Sequence, residues 1–222
     1  MKYIIMCGGD YTNWETPRQL VKINGEEIVA RTIRLLKEAG CRKIYISTDN
    51  EEFTRFEVPL LFHNNDFTVL AENGKVTGCT GWWVDAFYPT DEPTTYLFGD
   101  VVYSPEAIRT IIETETDDIE FFGSRPPYDE RYFKAYPEPF AFKVVNTNHM
   151  RQAILDCKIN ANRGMFWRPP ISWELWTTIN HGRLKKKRDV YKDRYTVIND
   201  YTCDVDTAGD VQHFERIFNG EA

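Results

Sequence analysis

The sequence has 222 residues, of which 42% are hydrophobic, 27% charged and 14% aromatic. That length favours one domain with a sizeable core, and the balance excludes disorder and a fibrous repeat. A formal charge of -7 argues against nucleic acid as a partner, because a polyanion binder needs a broad positive surface, but a few gathered cations suffice for a small anion.

The chain opens with a predicted strand, Lys2 to Met6, which is short, β-branched and aromatic and is stopped by Gly8-Gly9. This run is too short for a signal segment or a membrane span, so no membrane association is expected. Cys7-Gly8-Gly9-Asp10 follows, where a parallel α/β sheet would bind a nucleotide beyond its strand ends. Two glycines let backbone amides approach a phosphate or base, although a tight strand-exit turn has the same spelling. No dinucleotide fingerprint or Walker loop is present, and the next helix signal comes only near Glu26. The excursion ends in Thr16-Pro17-Arg18-Gln19-Leu20 and then Asn24-Gly25, which would wrap a triphosphate and bring Arg18 to it.

A helix is predicted over Glu27 to Ala39 and strands over Lys43 to Ser47 and Thr95 to Phe98. Ser104-Pro105-Glu106 reads as a capped helix start. Strand signals return at Glu120 to Gly123 and Ala141 to Val145, separated by two proline-rich loops, Arg125 to Tyr128 and Tyr136 to Pro139. Asn146 is expected to cap a helix to about Cys157, a basic run covers Arg183 to Arg188, and a strand lies at Tyr195 to Ile198. A last helix is expected from about Ala208 to Phe218. The alternation implies a mainly parallel sheet covered by helices.

Two acidic positions stand out. Asp100 follows the apolar strand Tyr96-Leu97-Phe98 through Gly99, where a carboxylate is costly unless it caps, pairs or coordinates. In Cys203-Asp204-Val205-Asp206-Thr207, Asp204 and Asp206 share a face if the segment is extended. Thr207 and Asp210 also have the spacing of a helix-capping pair, so part of this cluster is open to a purely structural reading. The five cysteines are odd in number, scattered and without a Cys-x-x-Cys pair. Free thiols in a reducing cytoplasm account for them.

The glycine loop, Pro17-Arg18, Asn24-Gly25 and Gly40 together resemble the N-terminal signature of the sugar-nucleotidyltransferase-like superfamily. That group includes sugar-phosphate nucleotidylyltransferases, phosphocholine cytidylyltransferases and MobA-like NTP transferases. The resemblance implies a single-domain α/β, Rossmann-like three-layer sandwich of the GT-A-like nucleotidyltransferase kind, with a mixed, mainly parallel sheet. It also implies NMP transfer from an NTP to a small phosphorylated acceptor, with Mg²⁺ and release of pyrophosphate. Carried onto this sequence, it makes Arg18 and Asp100 catalytic and gives Asp100, Asp206 and Asp204 the metal. Cys7, Gly8, Gly9 and Arg18 fall in the nucleotide loop, and Thr77, Gly78 and Gly81 fall against the base. Two departures stand in the chain itself: Arg18 takes the place of the usual lysine, and the usual loop arginine is missing near Asn13 and Trp14.

Other readings stay open on the residues. Asp204-Val205-Asp206 also spells the Asp-x-Asp of a glycosyltransferase of related fold, and the missing arginine fits a nucleotide-binding relative without turnover. Glycines before Trp82 to Phe87 suit a helix entry as well as a base contact. The run Arg183 to Arg188 reads as a solvated surface, with a lid role as the alternative. Residues 124–194, with Tyr128, Tyr132, Phe133, Tyr136, Arg125 and Arg131, are assigned to the acceptor side. Neither the acceptor, the NTP nor an oligomeric state is spelled out by the chain.

Overall fold

A computed structural model describes residues 1–8, 14–62, 69–72, 75–79, 83–87, 90–124, 137–166, 170–181 and 194–221. Strand β1 (Lys2–Met6) leads through a 3-10 turn at Arg18–Leu20 to the ribbon β2 (Lys22–Ile23) and β3 (Glu26–Glu27), then to α1 (Ile28–Glu38) and β4 (Ile44–Thr48). Next come β5 (Leu60–Phe62), the ribbon β6 (Val69–Glu72) and β7 (Lys75–Cys79), β8 (Thr94–Phe98), β9 (Val101–Val102) and α2 (Pro105–Glu113). The rest comprises β10 (Ile119–Gly123), β11 (Pro139–Val144), α3 (Thr147–Asn162), α4 (Ser172–His181), β12 (Tyr195–Val197), β13 (Cys203–Asp204) and α5 (Ala208–Phe218).

Seven strands form one sheet in the order β12-β10-β11-β8-β1-β4-β5. β1 pairs in parallel with β4 and β8, β4 with β5, and β10 with β12, while β11 runs antiparallel to both of its neighbours. Every residue of β8 and β10 is buried, as a sheet covered on both faces requires. One side of the core is aromatic: Phe121 and Phe142 stack at 4.3 Å between centroids, and Trp176 of α4 leans on Phe121 at 5.1 Å. Such pairs add to the simple burial of their area.

The elements follow local chemistry. α1 buries Ile28, Val29, Ile33, Leu35 and Leu36, and α2 starts where the Ser104 hydroxyl accepts from the Ala107 amide, with Pro105 at the first helical position. The β2–β3 turn holds Asn24 at φ 48° and Gly25 at φ 83°, the pair of positive angles that a two-residue hairpin needs. Two expectations need correction. The helix capped by Asn146 runs on to Asn162, because Ala161 is still buried and no breaker intervenes before Gly164. Among the described residues, the apolar stretch before Phe87 takes 3-10 rather than α-helical form, at Trp83–Ala86. Helix α4, strand β5 and the β6–β7 ribbon have no counterpart in the elements expected from sequence. Among the described residues, no helix is long and apolar enough to cross a membrane.

Candidate active site

Beyond Phe98 the chain reverses tightly over the end of β1. The Gly99 amide donates to the Met6 carbonyl at 3.0 Å, and Asp100 is thereby set at the carboxyl end of the central strands. β9 then pairs antiparallel with β13, with Val101 opposite Asp204 and Val102 opposite Cys203. The Val205 amide donates to the Asp100 carbonyl at 3.0 Å, so a segment from the far end of the chain is fastened beside Asp100. A small apolar cluster of Ile23, Ile28, Val102, Cys203, Val205 and Phe214 lies beneath and ties the β2–β3 ribbon to α5. Hydrophobic burial, rather than the acids themselves, brings the acids together.

The structural reading of the C-terminal cluster holds for one of its members. Asp210 accepts from the amides of Asp206 and Thr207, each at 2.8 Å, and Thr207 completes the capping box that starts α5. With Asp210 serving the helix, Asp204 and Asp206 are left to face the site.

Arg18 comes from the 3-10 turn opened by Pro17. Gln19 and Leu20 are buried and anchor that turn, which leaves the Arg18 side chain to reach outward. Its Nη2 lies 3.1 Å from Asp100 Oδ2 and its Nη1 lies 2.6 Å from Asp206 Oδ1. Burial pulls the guanidinium pKa down, but Asp100, Asp206 and Asp204 more than offset that, and the net shift is upward. The Cys7 thiol is fully buried and pushed well above its ordinary value, by burial first and by Asp100 second. Burial and a raised pKa leave this thiol little thiolate character. Gln19 Nε2 donates to the Gly8 carbonyl at 3.5 Å, which links the start of the glycine loop to the Arg18 turn.

Sequence reasoning missed Glu138. It precedes β11 and is only 6% exposed, and its amide donates to the Ser124 hydroxyl at 2.8 Å. Glu138, Asp204 and Asp206 each turn a carboxylate oxygen to within 4.8 Å of the others. An acid between Pro137 and Pro139 reads in the sequence as loop, and only the fold shows that it is buried, where such a group is costly without a role. All of these donors are carboxylate oxygens, the set that Mg²⁺ prefers, and the residues present fit a hard divalent cation.

The base-side candidates Thr77 and Gly78 belong to strand β7 of the β6–β7 ribbon, which lies beside α3. Gly9, Gly81, the aromatic and arginine candidates at 125–136 and the basic run Arg183 to Arg188 lie outside the described residues.

No family model and no curated protein matches the sequence. Solved structures do match the fold. A protein assigned as a glucose-1-phosphate thymidylyltransferase from Bacillus anthracis, solved with sucrose, aligns at a TM-score of 0.58 and 14% identity, covering 97% of this chain and 94% of its own. The inositol-1-phosphate CTP transferase from T. maritima gives 0.52 and 14%, covering 100% and 97%. HddC from Yersinia pseudotuberculosis, complexed with GMP-PN, gives 0.53 and 13%, covering 98% and 99%. The chain thus shares its α/β fold with these three proteins over essentially its whole length.

Proposed function

We propose that the chain is a metal-dependent nucleotidyltransferase. It transfers a nucleoside monophosphate from an NTP to the phosphate of a small acceptor, a sugar phosphate or phosphocholine-like compound, and releases pyrophosphate. The observation that carries this reading is the convergence of Arg18, Asp100, Asp206 and Asp204 at the carboxyl ends of β1 and β8, beside Gly8. The fold neighbours named for glucose-1-phosphate and inositol-1-phosphate substrates support the acceptor class.

An oxygen of the acceptor phosphate attacks the α-phosphorus as the bond to the β-phosphate oxygen breaks, and pyrophosphate leaves with that electron pair. A phosphate oxygen is already a nucleophile, so the chain needs no general base. Asp100 and Asp206, with Asp204 and Glu138 beside them, would hold a divalent cation, which neutralises charge on the α-phosphate when bound. Arg18 can fork onto the triphosphate and orient it, and Gly8 leaves room for close approach. Residues 124–194 form the acceptor side of this single domain in the same reading, and a cytoplasmic setting supplies both substrates.

Pyrophosphate release is the test, with Mg²⁺, each of the four NTPs and a panel of phosphorylated acceptors. Release is expected for one NTP–acceptor pair and is expected to fall about a hundredfold or more in Asp100→Ala. Silence for every pair, with NTP binding intact, would overturn the transferase reading.

A further inference from the structure

The two terminal nitrogens of Arg18 are divided between carboxylates from the middle and the C-terminal end of the chain, Asp100 and Asp206, which lie 82 and 188 positions beyond it. Nη1 also lies 3.5 Å from the Val205 carbonyl. The guanidinium therefore stands between the oxygens that the proposed function assigns to the divalent cation. A metal ion drawing on those same two oxygens, Asp100 Oδ2 and Asp206 Oδ1, would compete with the guanidinium for their lone pairs, and the two positive charges would repel.

We propose that Arg18 is a resident stand-in for the cation: it neutralises Asp100 and Asp206 before substrate arrives and leaves them when the metal–nucleotide enters. This inference rests on the transferase reading for the role of the cation. Cation entry and Arg18 release are then one exchange, completed by the triphosphate, which offers the guanidinium a new anionic partner for its fork. The exchange is a side-chain movement. The backbone around Arg18 is fixed by the Leu20 amide donating to the Pro17 carbonyl at 2.8 Å and by the burial of Gln19 and Leu20.

The exchange also gives the arginine a purpose of its own. Lysine carries one compact charge and cannot bridge two carboxylates with a rigid planar fork. An arginine holds both acids in register, keeps them from repelling each other, and makes the empty site a poor trap for free metal. The cation therefore arrives with the nucleotide rather than ahead of it.

Mn²⁺ is the probe, titrated without nucleotide into wild type, Arg18→Met and Arg18→Lys and followed by the electron paramagnetic resonance of the free ion. Circular dichroism and thermal melts establish that each variant is folded. Arg18→Met is expected to bind Mn²⁺ at least tenfold more tightly than wild type, with Arg18→Lys in between. Adding Asp206→Asn to Arg18→Met is expected to abolish the gain. If Arg18→Met does not fold, the comparison of Arg18→Lys with wild type carries the test. Folded variants that bind Mn²⁺ no more tightly than wild type overturn the exchange, even if wild type releases pyrophosphate. Tighter binding beside a silent pyrophosphate assay supports the exchange and counts against the reaction alone.

Discussion

An ideal Cβ placed on Gly99 would stand 2.6 Å from the Met6 carbonyl oxygen, 2.7 Å from Cys7 Sγ and 3.0 Å from Gln19 Cγ. The first of these is backbone in the central strand and cannot give way without disturbing the sheet. Gly99→Ala is therefore expected to destabilise the protein by about 2 kcal/mol, the usual scale of overpacking. For a chain of this size that lowers the melting temperature by roughly 4–8 °C. A thermal melt checks it, and an unchanged melting temperature would mean that the reversal over β1 is looser than the geometry requires. Asp100 was legible in the sequence for a related reason, as a charge set against an apolar strand with glycine as the only spacer. Glu138 was not. Its two flanking prolines read as loop, and its burial depends on Ser124 and on the C-terminal segment, neither of which is near it in sequence.

The elements that were legible are those whose own residues settle their fate. β1, α1 and α5 have compact apolar runs or one-sided apolar faces, and the Ser104 and Thr207 caps announce the starts of α2 and α5. Helix α4 escaped because its buried residues include Ser172, Glu174, Thr177 and Thr178 as well as Leu175, Trp176 and Ile179, which blurs the apolar period. β5 escaped because three residues at a sheet edge carry too little pattern. Buried polar groups also mark the other side of the sheet, where Glu120 of β10 faces Lys143 of β11 and accepts from the Thr196 hydroxyl of β12 at 2.7 Å. Burial raises the Glu120 pKa, and the Thr196 hydrogen bond, Arg194 and Lys143 only partly counter it. The folded carboxyl thus ionises at higher pH than the unfolded one. Both forms are protonated at acid pH, and stability falls as pH rises through the ordinary carboxylate value towards the raised one. Glu120→Gln, which can still accept from Thr196, is expected to melt higher than wild type at neutral pH, with the gap closing towards acid. Paired melts across a pH series test this, and a gap that did not depend on pH would assign the effect to packing instead.

At the scale of the whole molecule, the site joins segments that the sequence holds far apart. Arg18 and Asp206 meet only because the parallel strands place Gly8 and Asp100 at one end of the sheet and the β9–β13 pair returns the chain to it. Ligand binding at such a junction must stabilise the entire fold, since unfolding scatters every contributing residue. A ligand at a hundred times its dissociation constant contributes about 2.7 kcal/mol. In a chain of this size that corresponds to a melting temperature higher by roughly 5–11 °C. NTP and Mg²⁺ together are expected to give a rise of this order, and to give more than the sum of the two added singly, because the cation and Arg18 exchange places only when a triphosphate is there to receive the arginine. Asp206→Asn is expected to lose most of the joint rise. Its unliganded melting temperature is expected to stay close to that of wild type, because a partly exposed ion pair such as Arg18–Asp206 contributes only about 0–1 kcal/mol. A full joint rise in Asp206→Asn would remove Asp206 from the ligand site. A large fall in its unliganded melting temperature would instead make the ion pair a structural clamp between the ends of the chain.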